Sequence, residues 1–438
     1  MTTFNASSLN LSIPSIEADF GVSAQLIGWV VTTYSLACVA FSIPFGRLAD
    51  MTGRVRIMRA GTAIFAASAL ATVLAPNFAV FLACRFMQGV GGSIIFATSN
   101  AILISVYPPE ERGKVLGLSV AATYTGLSTG PVVGGFMNGV FGWQSIMLAT
   151  GIFSVIPLAA SIARVSNDEP VEKGGRYDYV AAVLYMASLV SFLYGLSNIT
   201  NGKVYLALIV LGLAIGAYFV RYELKAENPV LKISLFANKG FTFSNLAAFM
   251  NYASTFAVTY YMSIYLQLVK GMTSQSAGLV MLLMPLVQAV LSPSAGKLSD
   301  KHSPYKLSSF GMGLCAAGLL VACTSSVDTP IWIIYAMLAV MGLGFAIFSS
   351  PNTNAIMSAV DDADRSSASS ISSTMRTAGQ TTGMAILTII TGVIMGSMSL
   401  NDAPLETIVR VMHTSFIVFS GVCFIGIFIS LQRKEEKK

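Results

Sequence analysis

Long apolar runs divided by short charged turns constrain this chain more than any other feature. A bilayer-spanning helix needs about 20 predominantly apolar residues, and runs of that kind follow one another almost to the C-terminus. Fourteen helices are expected, at roughly 1–16, 24–48, 55–75, 78–105, 114–139, 142–164, 178–198, 203–223, 240–268, 274–299, 305–325, 330–357, 366–396 and 408–432. A soluble core cannot absorb so much apolar sequence. Hydrophobic residues make up 54% of the chain and charged ones 11%, against about 25% charged in soluble domains. Mean hydropathy is +0.71. The expected class is an all-α membrane protein.

The net charge of +6 does not point to nucleic acid, because the basic residues form no stripe and sit in turns beside the membrane. With the N-terminus in the cytoplasm, 21 lysines and arginines fall on the inner side. Only Lys203, Lys270 and Arg410 fall outside. Positive-inside sorting therefore expects both termini in the cytoplasm. The five cysteines lie inside apolar segments without metal spacing, and the two histidines do not cluster. No metal, cofactor or enzymatic site is expected. The chain has no GxxxxGK[ST] phosphate loop, which disfavours ATP-driven transport.

The first run is short and polar, with Asn5, Ser7, Ser8, Asn10 and Ser12. It has no basic n-region, so it does not read as a signal peptide. We expect that the chain starts inside its first helix, which is then truncated.

The sharpest turn is GRLADMTGRVR, Gly46 to Arg56. Gly46 suits close approach to a neighbouring helix, and Gly53 suits a tight turn. Asp50 is an acid near a helix end, and Arg54 and Arg56 can pair with it or with lipid phosphate. GKLSDKH, from Gly296 to His302, repeats the wording with Asp300. Arg112, Gly126 and Gly130 recur as Arg365, Gly379 and Gly383. This is an internal repeat, and it is offset by more than a six-helix unit requires. The expected organisation is a six-helix bundle at 1–165, a linker with two extra helices at 166–238, and a second six-helix bundle with a cytoplasmic tail at 239–438.

Two helices carry further signals. Arg85, in LACRFMQGVGG, lies at a depth that costs about 2.5–3.5 kcal/mol on insertion scales. It needs a cavity or a partner there. GLSTGPVVGG places Gly126, Gly130, Pro131, Gly134 and Gly135 on one stretch, a surface smooth enough for close helix contact with a proline kink.

These stretches resemble signatures of the major facilitator superfamily. The turn resembles its Gly-x-Leu-Ala-Asp-x-x-Gly-Arg-x-Arg loop, Arg85–Gln88–Gly89 its Arg-x-x-Gln-Gly motif, and 126–135 the helix 5 motif of its exporters. Fourteen helices are similar to the drug:proton antiporter (multidrug efflux) branch. The resemblance implies a conformational latch at Gly46, Asp50, Gly53, Arg54, Arg112, Gly296, Asp300 and Arg365. It also implies proton coupling at Arg85 or Asp50, for which a hydrogen bond from Arg85 to backbone carbonyls is the alternative. It implies export of small amphipathic molecules across the plasma membrane, by alternating access and in exchange for protons. The partners would be a small-molecule substrate, protons and the lipid bilayer, with no nucleic acid and a monomeric chain.

One departure matters. The branch commonly has an acid in helix 1, ahead of Asn-x-x-x-Pro. Asn10 and Pro14 match that pattern, but Asn5 takes the acid's place. All twenty acids lie in loops or at helix ends, so no cavity carboxylate is expected. This favours, as alternatives, a specific metabolite exporter or facilitator with weak coupling; a non-transporting receptor or scaffold has no use for the latch motifs. Candidate cavity residues are Asn5, Gln88, Asn251, Tyr252, Gln288 and Arg376, with an interhelical hydrogen bond as the plainer role for each Asn.

Overall fold

The computed structural model describes residues 1–106, 109–166, 176–199, 202–226, 229–361, 365–396 and 398–433, side chains at 100, 104–105, 109–118, 120–121, 124, 300 and 365–366 excepted. Fourteen helical rods run through the described residues. They are α1 (2–20), α2 (Ala24–Thr52), α3 (Arg54–Val73), α4 (Phe78–Val106), α5 (Pro109–Phe141), α6 (Trp143–Arg164) and α7 (Tyr179–Ser197). The rest are α8 (Lys203–Glu223), α9 (239–269), α10 (274–301), α11 (Pro304–Ala322), α12 (Ile331–Ser358), α13 (Arg365–Met395) and α14 (Leu405–Leu431). Ten are long and apolar enough on their own to cross a membrane. The other four, α1, α3, α5 and α9, are more polar. In α1 and α9 the polar groups are mostly buried, facing other helices rather than lipid.

The first rod runs on to Phe20, beyond the expected end at residue 16.

The packing repeats. In the first half α2 and α3 pack on α4, α3 on α6, and α1 on α5. In the second half α10 and α11 pack on α12, α11 on α14, and α9 on α13. Every pairing recurs eight helices later. The extra rods α7 and α8 pair with each other, and α7 touches both α2 and α13.

Small residues make the tightest crossings possible. Cβ atoms at Gly130 and Gly134 would come within 2.7 and 2.3 Å of the Ser7 and Ser8 side chains on α1. The counterpart, Gly383 on α13, would place one 2.3 Å from the Ala253 carbonyl on α9. No side chain fits there, so these helices touch through their backbones.

Prolines supply the polar links. A helical proline leaves the carbonyl four residues earlier without its N–H partner. Pro131 frees the Leu127 carbonyl, which accepts the Ser7 hydroxyl of α1 at 3.0 Å. Pro14 frees the Asn10 carbonyl beside a 3-10 turn at Asn10–Ser12. That carbonyl accepts the Ser263 hydroxyl of α9 at 2.7 Å, joining the two halves.

Further joins between the halves lie toward one end, around Gly21, Gly142, Gly396 and 398–404. The Ala24 amide donates to the Met398 carbonyl (3.0 Å), and Asn138 Nδ2 donates to Ser274 Oγ (3.0 Å). A Cβ at Gly278 on α10 would stand 2.1 Å from the Pro131 carbonyl oxygen of α5. We call this contact region the seal. At the opposite, basic end, which carries the 46–56 turn, no hydrogen bond joins the two halves among the described residues.

Candidate functional site: the gap behind the seal

Behind the seal, between the halves, lies a cavity of about 70 Å³. Ser7, Leu127 and Pro131 line it on one side, and Val258, Thr259, Met262, Met281, Met284, Pro285, Gln288 and Leu338 on the other. Its wall is apolar and polarizable, because three methionines meet there with one amide. Flexible thioethers adapt to ligands of different shape. Of the expected cavity residues only Gln288 lines this space; the methionines carried no signal distinguishing them from core.

The expected residues Asn5, Arg85 and Gln88 come together, but inside the first half. Arg85 is 1% exposed. Its Nε donates to the Val30 carbonyl (3.2 Å), and its Nη1 donates to Asn5 Oδ1 (2.9 Å) and to Gln88 Oε1. The guanidinium lies over the Tyr34 ring, 4.6 Å from its centroid. Asn5 Nδ2 in turn reaches Thr150 Oγ1 at 3.3 Å. Every partner named is neutral, so peptide and amide dipoles with an aromatic face stabilise this cation. The backbone hydrogen bond expected as the alternative role for Arg85 is present.

In the second half Arg376 lies over the Tyr252 ring at 5.2 Å. Tyr252 is held edge-on to Phe345, and its hydroxyl is 3.4 Å from Ser349 Oγ. Asn251 is fully buried on the same helix.

At the basic end, Arg54 Nε meets Asp50 Oδ1 at 2.6 Å, and Arg54 Nη1 donates to the Ala101 carbonyl of α4 at 3.2 Å. Gly53 turns the chain with φ 112°, a conformation that favours glycine. Gly46 differs from expectation: a Cβ there would meet Ala97 at an ordinary 3.5 Å, so α4 does not demand a glycine in this state. Gly296, its counterpart, faces Ser350 Oγ at 2.9 Å from a built Cβ. Side chains of Arg112, Asp300 and Arg365 lie outside the described residues. In 126–135, Gly126, Gly130 and Gly134 face α1, whereas Gly135 approaches Ser274 of α10. That motif therefore serves both the α1 contact and the seal. Asp50→Asn is expected to leave membrane insertion and folding intact and to reduce flux severalfold, because the ion pair spans the 46–56 turn. Quantified membrane protein alongside vesicle flux checks this.

Two of the acids at helix ends are buried. Glu223 is 3% exposed and accepts the Val230 and Leu231 amides. Glu17 is 1% exposed and lies in the seal. Arg433, expected in a solvated tail, folds under the second half and donates to Asn352 Oδ1 at 2.9 Å. For the seal, the 126–135 string was the signal in the sequence, through Pro131 and Gly135.

Two halves of six rods with one packing plan, a gap between them and closure at one end define a multi-pass membrane transporter for small molecules. The profile of the Major Facilitator Superfamily matches residues 1–219 and 245–438. The chain belongs to that superfamily.

Relatives agree. Riboflavin transporter RibZ of Clostridioides difficile is 28% identical over 100% of this chain and 96% of its own length. Multidrug resistance protein Stp of Mycobacterium tuberculosis is 27% identical over 88% of this chain and 73% of its own. Among solved structures, a bacterial homologue of the human lysosomal transporter Spinster superposes with TM-score 0.67 at 15% identity, covering 100% of this chain and 96% of that one. A peptide transporter POT superposes with TM-score 0.71 at 15% identity, covering 98% and 92%.

Proposed function

We propose that this protein is a secondary active exporter of small amphipathic molecules in the plasma membrane, working by alternating access in exchange for protons. The observation that carries this reading is the one-sided seal: the halves join at one end and leave a methionine-walled cavity behind it. The basic end faces the cytoplasm, where positive-inside sorting puts it, so the structure is closed to the outside. The rocking units are 1–165 and 239–438, with 166–238 supplying the two extra helices. Asp50, Gly53 and Arg54 act in the latch. Similarity to Stp supports a broad substrate range.

A second reading is a specific metabolite exporter with weak proton coupling. Asn5 favours it, because an amide holds Arg85 where the branch commonly has a titratable acid. Similarity to RibZ along the whole chain favours it too.

Proteoliposomes with a pH-sensitive dye inside, given ethidium, riboflavin and fluorescein in turn, separate these readings. Movement of more than one compound, each with proton counterflow, is the expected result. Movement of one compound without protons replaces exchange with the second reading. No movement of any compound sinks export of this class.

A further inference from the structure

We propose that Glu17 is a proton-binding clasp on the outer seal, taking a proton from the outside medium as the seal closes and returning it as the seal opens. This rests on the reading above that the sealed end faces outward.

Glu17 lies in the last turn of α1, at the water boundary rather than at mid-membrane. One of its carboxylate oxygens, Oε1, accepts the Leu400 amide, and the other, Oε2, accepts Asn401 Nδ2. Both donors belong to the α13–α14 loop of the other half. Asn401 Nδ2 also donates to the Pro14 carbonyl at 3.3 Å, so the loop grips α1 at two points. The Ser399 hydroxyl approaches the same carboxylate.

Among the described residues the groups facing Glu17 include no cation. Tyr260 faces it from α9 and is buried. Asp19, on its own helix, accepts Trp143 Nε1 at 2.7 Å instead, and Asp402 on the loop is exposed. Arg54–Asp50 is the sole ion pair among the described residues.

When the halves part at this end, the loop leaves α1 and Glu17 meets water. When they close, the carboxylate loses its hydration and gains no counter-charge, which opposes closure of the ionised form. Binding a proton removes that opposition. The step balances as carboxylate plus one proton giving the neutral acid. The acid's O–H then donates to Asn401 Oδ1 after that side-chain amide turns over, and the Leu400 amide still donates to the other oxygen. Because Glu17 reaches water only on the outside, its proton comes from and returns to the same side. The clasp sets how the cycle responds to external pH and carries no proton across.

A distance measurement on the whole protein tests this without knowledge of the substrate. Spin labels at Ala18→Cys and Asp402→Cys, both exposed positions, report the seal, since all five native cysteines are buried or half-buried. Between about pH 8 and about pH 5 the short-distance population should rise about threefold or more with Glu17 in place. Glu17→Gln should stay closed across that range, and Asn401→Ala should flatten the profile while folding normally. A seal indifferent to pH, an unchanged profile in Glu17→Gln, or opening on acidification would each overturn the clasp. Ethidium and riboflavin flux, measured in parallel, separates the two ideas. Flux with a pH-inert seal sinks the clasp alone. A Glu17-dependent seal without flux sinks the export reading alone.

Discussion

Gly278→Val is expected to lower transport at least about tenfold while the protein still inserts and folds, because it wedges the seal without touching either half's own packing. A Cβ there would lie 2.1 Å from the Pro131 carbonyl oxygen, and backbone atoms have no rotamer with which to yield. Overpacking of this kind costs roughly 1–3 kcal/mol, and each 1.4 kcal/mol is about a tenfold shift between two states. The state joined at this end is penalised and the state open at this end is not. A membrane-impermeant maleimide should therefore react faster from the sealed side with a cysteine introduced at Thr259, which lines the cavity. Unchanged labelling together with unchanged flux would show that the α5–α10 crossing is not the closing contact.

Arg85→Lys should be nearly as damaging, though by another route. The arginine makes three hydrogen bonds through Nε and Nη1 and stacks on Tyr34. An ammonium has neither the planar fork nor the face for that arrangement. Buried donors or acceptors left unpaired cost about 1–3 kcal/mol each, so the unfolding temperature in detergent should fall along with flux. Asn5→Asp should act in the opposite direction on stability, by placing a carboxylate 2.9 Å from a cation that is already buried. Thermal unfolding of the two variants beside the parent checks both signs. A drop in both would mean that the first half tolerates only the neutral amide at position 5.

Local rules made much of this architecture legible. Run lengths gave the fourteen rods, because a bilayer fixes how long an apolar helix must be. The glycine strings announced close crossings, and the packing at Gly130, Gly134 and Gly383 matches them. What stayed hidden depends on partners far away in sequence. Glu17 was legible only as an acid at a helix end, and a loop 383 residues later buries it. Arg433 read as a tail residue for the same reason. Asn5 and Gln88 were placed in the cavity because a polar residue at mid-helix has no address until its neighbours are known. Here the neighbour is Arg85 and the place is one half's interior.

The proline-freed carbonyls carry a consequence for how such a chain drifts. Restoring an N–H at position 14 would return the Asn10 oxygen to its own helix, and Ser263 would be left competing for it. Position 131 stands in the same relation to Ser7. Homologues that lose either proline should replace the matching hydroxyl as well, so each pair should co-vary although its members lie far apart in sequence.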